Sequence, residues 1–399
     1  MPQDLAGVNI VLAVSGSIAC YKAVDLASKL TQLRAKVDVI MTEAAQRFVA
    51  PLTFRSITHR PVVTSMFEPD SELSINHVAL AERADLVAVV PATANTLARI
   101  AHGIADDAIT ATVLATRAPL LVVPAMDANM FDSPATQANV ELLNRRGVHI
   151  AGPAEGRLAS GLIGKGRLLE TPELIGHIRI VLGQDGDLAG RKIVVTAGGT
   201  QEAIDPVRVI TNHSSGKMGY AVAEAARDRG ADAVLVTSPT ALPDPTGVRV
   251  VRVGSALSMR DALYDECASA DAVVMAAAVA DWRVADVADQ KVKKGGEDTW
   301  TIDLVKNPDL IAGLASDNLV KIGFAAESED LIANAQSKLI SKDLHMIVAN
   351  DITAEDAGFA VDDNRVIILD REGGIDRLPL MSKYDVGVEI LDRVVPFLK

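Results

Sequence analysis

The stretch Asn9–Leu30, NIVLAVSGSIACYKAVDLASKL, decides the fold. Its first six residues are rich in Val, Ile and Leu and read as a strand. Ser15, Gly16 and Ser17 break the run, and Leu26, Leu30 and Leu33 then recur at i, i+4 and i+7, which marks one face of a helix. Strand, small-residue turn and helix follow one another without a linker. Around it the same grammar repeats in KVDVIM, ADLVAVV, APLLVV and GVHIA, then halts at the Gly- and Asp-rich VLGQDGDLAGRK. It restarts in KIVVTAGGT, DAVLVTS, VRVVRV, DAVVMAAAVAD, VKIGFAAE and MIVAND. The chain closes on a helix that a Ser382–Asp385 capping box introduces, with Val386, Ile390 and Val394 on one face. The expected fold class is α/β: two tandem domains, residues 1–182 and 190–399, each a doubly wound parallel sheet that binds ligands at the carboxyl ends of its strands.

Composition agrees with this architecture and narrows the function. A chain of 399 residues is too long for one ordinary core. With 3% aromatic residues, packing rests on Ala, Val, Leu and Ile, which suits sheets covered by helices. A formal charge of -13 argues against nucleic acid as a partner. The two cysteines, Cys20 and Cys267, have no metal or redox spacing, and no basic leader or membrane-length run begins the chain, so a cytoplasmic protein is expected.

Three strand ends in the first half carry small polar groups: Gly16 and Ser17, Thr42, and Thr93 with Asn95 and Thr96. Singly each reads as a helix cap or turn residue. Together they offer a helix-start site for a phosphate. GxGxxG is absent, so a mononucleotide such as FMN fits better than a nicotinamide dinucleotide. In the second half, TNHSSGKMG lacks the first glycine and the final hydroxyl of a Walker A loop, since Thr211 and Met218 occupy those places. Ser214, Ser215, Gly216 and Lys217 still equip a helix start for an anion.

SGSIACYK, INHVALAERADLVAVVPATANT, GIADD and PAMDANM together resemble the flavin-dependent cysteine decarboxylases over most of residues 1–180. The resemblance implies FMN, with His77 as the base on a substrate thiol, and a transient oxidation of the cysteinyl carbon that lets carbon dioxide leave before the hydride returns. It implies substrate contacts at Asp127, Asn129 and Met130 in PAMDANM. Two positions depart from the pattern. The family usually has asparagine where Asp127 stands and a proton-donating flap cysteine where GRLASGLIGKGRL has Ser160. Gly156, Gly161, Gly164 and Gly166 suggest a hinged lid.

TAGGTQEAIDPVRVITNHSSGKMG, MAAAVADWRV, KVKK, LVKNPDL, GFAAES and KLISKDLHMIVAND resemble the phosphopantothenate-cysteine ligase domain. The fusion in this order is similar to the bifunctional coenzyme A biosynthesis family, which implies a flavodoxin-like first domain and a Rossmann-like ligase domain. That resemblance implies phosphopantothenate, cysteine and CTP as ligase substrates, with a magnesium ion whose ligands the sequence does not assign, and phosphopantothenoylcysteine as the decarboxylase substrate. Ser214, Ser215, Gly216 and Lys217, with Gly198, Gly199 and Thr200, would make a nest for the CTP triphosphate, Lys291 would serve the phosphates, and Asn212 the acyl-cytidylate. Asp281, Phe324, Lys338 and Lys342 would hold nucleotide, and Ala276 and Asn307 would make backbone contacts. A homo-oligomer built from trimers and dimers is implied by resemblance alone. The alternative reading, opened by Asp127 and Ser160, is a ligase whose flavin half only binds or assembles.

Overall fold

The computed structural model describes residues 5–66, 76–293, 299–314, 318–327, 330–351 and 361–398, and every candidate site residue lies among them. The chain divides into two compact units, Asp4–Leu182 and Gly183–Lys399.

In the first unit β1 (Asn9–Val14), β2 (Lys36–Met41), β3 (Val62–Val63), β4 (Leu86–Ala92), β5 (Leu120–Pro124) and β6 (His149–Ile150) form a parallel sheet in the order β3-β2-β1-β4-β5-β6. Setting aside the two-residue edge strand β3, the order is the flavodoxin-like one, which reverses between β1 and β4 and opens a crevice at their carboxyl ends. Helices α1 (Cys20–Gln32), α2 (Glu43–Gln46), α3 (Pro51–Thr58), α4 (Asn76–Arg83), α5 (Ala94–His102), α6 (Ala108–Ala115), α7 (Ala128–Phe131), α8 (Pro134–Arg145) and α9 (Thr171–Gly183) follow the strands. Alternate residues of β1 feed two cores. Ile10, Leu12 and Val14 pack with Leu26 and Leu30 of α1 and Leu174 of α9, whereas Val11 and Ala13 pack with Leu80 of α4, Leu97 of α5 and Leu143 of α8. A sheet buried on both faces explains why its strands carry no polar alternation. The antiparallel hairpin β7 (Ala154–Arg157) and β8 (Ile163–Arg167) stands apart from the sheet.

The second unit contains β9 (Lys192–Ala197), β10 (Gln201–Ala203), β11 (Val209–Thr211), β12 (Asp232–Thr237), β13 (Arg249–Arg252), β14 (Ala272–Met275), β15 (Trp282–Val284), β16 (Leu304–Lys306), β17 (Val320–Glu327), β18 (Met346–Asp351), β19 (Asp363–Asn364), β20 (Val366–Asp370), β21 (Ile375–Arg377) and β22 (Met381–Ser382). Its main sheet runs β13-β12-β9-β14-β17-β18-β20-β21. The first six strands are parallel, and again the order reverses beside the first strand, between β9 and β14. The last two are antiparallel, so this sheet is mixed and departs from the wholly parallel one expected. Helices α10 (Lys217–Arg227) and α13 (Lys383–Val394) cover one face, and α11 (Ala256–Cys267) and α12 (Leu331–Ser341) the other. Val386, Ile390 and Val394 are fully buried, and Ser382 caps α13 by accepting the Asp385 N–H at 3.1 Å.

One polar cluster is sealed beneath α10 and α13. The Arg227 guanidinium and Asp228 carboxylate pair at 2.7 Å with almost no exposure, and the Tyr384 hydroxyl of α13 donates to the same carboxylate at 2.8 Å. Both cysteines are buried, and burial pushes each thiol up, that of Cys267 to about 12. No helix among the described residues is long and apolar enough to cross a membrane.

Candidate functional site

In the first unit the three polar strand ends converge. β2, β1 and β4 are neighbours, so Gly16 and Ser17, Thr42, and Thr93 to Thr96 share one sheet edge. The buried Ser15 hydroxyl ties two of them, donating to the Pro91 carbonyl at 2.7 Å and accepting the Thr93 N–H at 2.9 Å. Gly16 lies so close to α2 that an added Cβ would stand 2.4 Å from the Ala44 Cβ. The hydroxyls also serve local structure: Thr42 caps α2 through the Ala45 N–H, and Thr93 caps α5 through the Thr96 N–H. Asn95 stays exposed on the first turn of α5. GIADD is structural, with Asp107 capping α6 in a reciprocal box with Thr110 and binding Arg99 at 3.1 Å.

His77 sits on the first turn of α4. That helix is pinned by Arg83, which pairs at 2.9 Å with the buried Asp38 of β2. The His77 Nδ1 atom is buried, and none of the described residues hydrogen-bonds to it. A buried ring nitrogen without a partner among the described residues calls for one from a ligand, and the switch point, where Gly16 leaves no side chain, suits a flat mononucleotide. The residues present therefore fit a flavin.

The two departures noted in the sequence meet each other. Ser160, at the turn of the β7–β8 hairpin, donates to the Asp127 Oδ2 at 2.6 Å, while Asp127 Oδ1 accepts the Asn129 N–H at 3.0 Å. Asn129 and Met130 are exposed on the short helix α7. Two of the four supposed hinge glycines prove to be contact points. A Cβ on Gly166 would lie 2.2 Å from the Met126 carbonyl, and one on Gly164 would lie 3.0 Å from the Ala128 Cβ. The hairpin base is thus seated on the loop that carries Asp127. Replacing Ser160 by Ala removes the short, charge-assisted bond at the exposed tip, worth about 1 kcal/mol there. Amide exchange at Leu158 to Leu162 should quicken by about fivefold in that variant; unchanged protection would show that the turn holds itself.

In the second unit a cavity of about 710 Å³ opens at the carboxyl ends of β14, β17 and β18, beside the start of α10. Its wall brings together Asn212, Ser214, Ser215, Gly216, Lys217, Ala276, Asp281, Asn307, Phe324, Lys338 and Lys342. The loops that carry them are stitched to one another. The Ala278 N–H donates to the Gly198 carbonyl at 2.8 Å and the Ala280 N–H to the Thr200 hydroxyl at 2.9 Å. Asn307 closes the far side, donating from Nδ2 to the Ala280 carbonyl at 2.8 Å, and the Asn212 amide donates to Val279 at 3.1 Å. Gly199 and Gly219 are required by close approach: a Cβ on the first would meet the Asn212 carbonyl at 2.5 Å, and on the second the Thr196 carbonyl at 2.4 Å. Gly216 caps α10 with φ +76, a left-handed value that favours glycine.

The cavity has a cationic group at each end. On the α10 side Lys217 binds Asp362 at 2.7 Å. On the α12 side Lys338 and Lys342 are one turn apart, and Lys342 binds Asp309 at 2.8 Å. Burial pulls the Asp309 carboxyl up, but the Lys342 ammonium and the Ala312 N–H together hold it below its ordinary value. Lys291 is not on this wall; it is exposed. Its neighbour Val292 is gripped at both backbone ends, donating to Asp205 Oδ2 at 3.1 Å and accepting from Arg208 at 2.9 Å. Hydrogen bonding to Arg208 also holds the buried Asp205 carboxyl well below the usual carboxylate range. Asp309, Asn350, Asn364 and Lys383 line the cavity and were missed in the sequence; LVKNPDL, MIVAND and the Ser382 capping box flanked three of them. Among the described residues no group of three or more His, Cys, Asp or Glu side chains could hold a metal ion.

Two doubly wound units, one with a crevice suited to a mononucleotide and one with a lysine-ended cavity, define a two-site α/β enzyme acting on small molecules. The Flavoprotein family matches residues 1–182, and the DNA/pantothenate metabolism flavoprotein C-terminal domain matches residues 188–397. The chain is 46% identical over 385 residues to the coenzyme A biosynthesis bifunctional protein CoaBC of Vibrio cholerae, covering 96% of each chain. It is 44% identical over 398 residues to that of Bacillus subtilis, covering 98% of this chain and 97% of the other. A crystal structure of the C-terminal domain of a CoaBC protein, 39% identical, matches 53% of this chain and 98% of its own with a TM-score of 0.46. The chain belongs to the family of coenzyme A biosynthesis bifunctional proteins. It is a bifunctional enzyme of coenzyme A biosynthesis, with a decarboxylase and a ligase activity.

Proposed function

We propose that the Gly183–Lys399 unit condenses phosphopantothenate with cysteine using CTP, and that the Asp4–Leu182 unit decarboxylates the product, phosphopantothenoylcysteine, with FMN. The observation that carries the ligase half is the gathering of residues as distant in sequence as Asn212 and Lys342 on one cavity wall. Amide formation from a carboxylate in water is uphill, so the acid must become an acyl donor. Its carboxylate oxygen attacks the α-phosphorus of CTP, the bond to pyrophosphate breaks, and an acyl-cytidylate remains. The cysteine amine then attacks the acyl carbon, CMP leaves, and the amine proton goes to solvent. Charge placement accounts for such catalysis better than covalent help from the protein. The α10 start with Ser214, Ser215 and Lys217, and the α12 pair Lys338 and Lys342, supply cationic ends for two anionic substrates. Asn212 faces the acyl-cytidylate, Asp281 and Phe324 the nucleotide, and Ala276 and Asn307 offer backbone contacts. Lys291 reaches the phosphates from the segment that Asp205 and Arg208 grip. Magnesium would enter with CTP and would offset its phosphate charge.

FMN, when bound, supplies the two-electron acceptor and donor that a decarboxylation at the cysteinyl carbon requires. Gly16, Ser17 and Thr42 take its phosphate, and Thr93, Asn95 and Thr96 flank it. His77 accepts the substrate thiol proton on a ring nitrogen. The Ser160 hydroxyl, oriented by Asp127, places a proton-bearing group at the hairpin tip, with Asn129 and Met130 on the adjoining turn. The assembly is a homo-oligomer of trimers and dimers, for which Ile18, Tyr21 and Leu52 provide exposed apolar surface. Two buried, unpaired cysteines support a cytoplasmic setting.

Full-length protein given phosphopantothenate, cysteine and CTP should release pyrophosphate and carbon dioxide in equal amounts. Pyrophosphate without carbon dioxide would leave only the ligase, and neither product would overturn both assignments.

A further inference from the structure

The lysine that closes SGSIACYK has no part in the flavin or thiol chemistry assigned above. Lys22 lies on the first turn of α1 and is 8% exposed, and a lysine is almost never that buried unless its ammonium is paired. Its Nζ donates to the Leu168 carbonyl at 2.9 Å and to Glu170 Oε1 at 2.9 Å. Further along α1, Asp25 accepts from the hydroxyl of the buried Thr171, the first residue of α9. Two side chains of α1 thus hold the stretch from Leu168 to Thr171, where the returning strand β8 leaves the hairpin and runs into α9. Leu168 and Leu169 anchor the same stretch in the core with Leu26.

A buried ammonium paired with a half-exposed carboxylate is a poor source of stability, because desolvation offsets most of the attraction. What it supplies is direction, since its fixed donors set the position of the Leu168 peptide. That peptide follows directly on β8, whose Gly166 carbonyl accepts the Met126 N–H at 3.0 Å, next to the loop that carries Asp127. The tip bond from Ser160 to Asp127 is exposed and competes with water, so it closes a hairpin that its root must already aim. The root is held by the helix whose leading loop is Gly16 and Ser17, which puts the phosphate end of the flavin site and the hairpin on one rigid body. We propose that Lys22 is a positioning residue for the decarboxylase: by fixing Leu168 and Glu170 against α1 it sets the placement of the β7–β8 hairpin, so that Ser160 meets Asp127 at its tip. The proposal rests on the reading of Ser160 as the proton-bearing group.

The test uses full-length, FMN-loaded Lys22→Met, which keeps the apolar stem and removes the ammonium. Lys22→Arg is the donor-keeping control, and Thr171→Val is a milder cut in the same clamp. In Lys22→Met, amide exchange across Glu155 to Arg157 and Ile163 to Arg167 should quicken by about tenfold, the effect of one lost buried bond. The kcat for phosphopantetheine formation should fall by about tenfold, with KM within about threefold, because a displaced tip affects the chemical step more than substrate capture. Lys22→Arg should recover most of both, and Thr171→Val should shift both in the same direction by about twofold. In a Ser160→Ala background, Lys22→Met should cost no more than about a further twofold, since a residue that acts through Ser160 has little left to lose. An undiminished effect in that background would overturn the proposal, as would unchanged hairpin protection in Lys22→Met. Loss of the flavin spectrum with hairpin protection intact would make Lys22 a cofactor-retaining residue and also overturn it. Where Lys22→Met does not accumulate as folded protein, Thr171→Val decides by the same two readouts. Ser160→Ala with unchanged kcat would retire the reading on which the proposal rests, whereas a slowed Ser160→Ala beside an unaffected Lys22→Met would retire the assignment of Lys22 alone.

Discussion

Replacing His77 by Gln lowers carbon dioxide release from phosphopantothenoylcysteine by about 10²–10⁴-fold, the usual contribution of a positioned base. The expectation follows from placement. Arg83 anchors α4 to the buried Asp38, which fixes the helix whose first turn holds the imidazole. The ring presents a buried Nδ1 that no described residue satisfies. Glutamine keeps a polar side chain of similar reach but cannot take up the thiol proton at neutral pH. CTP-dependent pyrophosphate release lies in the other unit and should remain within about twofold. Separate assays of the two products check this. Carbon dioxide release that survives the substitution would assign the base elsewhere, and a parallel loss of both products would indicate damage to the fold.

The largest stability effect should come from Asp228→Ala. The change strips the counter-charge from Arg227 in a region sealed by α13, and removal of one partner of a buried pair costs about 3–5 kcal/mol. Arg227 would keep its bond to the Thr246 carbonyl, and Tyr384 would lose an acceptor. Thermal unfolding of the second unit should fall by roughly 10 °C on the scale typical of a domain this size. Tyr384→Phe, which removes only the donor, should cost about 1 kcal/mol. Equal effects from the two variants would show that the hydroxyl, rather than the ion pair, is the sensitive element.

Much of the fold could be read from residue order because a buried parallel strand leaves a plain signature. NIVLAV and KIVVTA are uniformly apolar since both faces of each sheet are covered, and each gives way to small residues where the crevice opens. The antiparallel edge β20–β21 escaped notice because VIILD looks like any other buried strand, and direction is set by partners rather than by composition. The site was legible where several residues cluster within a motif. Ser214 to Lys217 declare themselves as a helix start, and Lys338 and Lys342 share a helical face. Asn350 and Lys383 were not legible. One looks like the polar end of a strand and the other like a solvated residue inside a capping box, and only the strand pairing and burial of the folded unit bring them to a common wall. Lys291 shows the converse: a lysine-rich motif drew attention to it, yet its side chain stands outside the cavity while its neighbour's backbone is the part held in place. Gly164 and Gly166 mislead in a similar manner, because a glycine that avoids a close contact and one that permits bending look identical as letters.

The pairing of Lys217 with Asp362 and of Lys342 with Asp309 bears on how a chain of formal charge -13 admits polyanions. Neither ammonium waits with only mobile ions around it. An arriving phosphate must exchange with a tethered carboxylate, so entry is a swap of one anion for another, and the local field changes little during the exchange. Because few small ions are liberated in such a swap, substrate capture should respond less steeply to ionic strength than the number of lysines on the wall suggests.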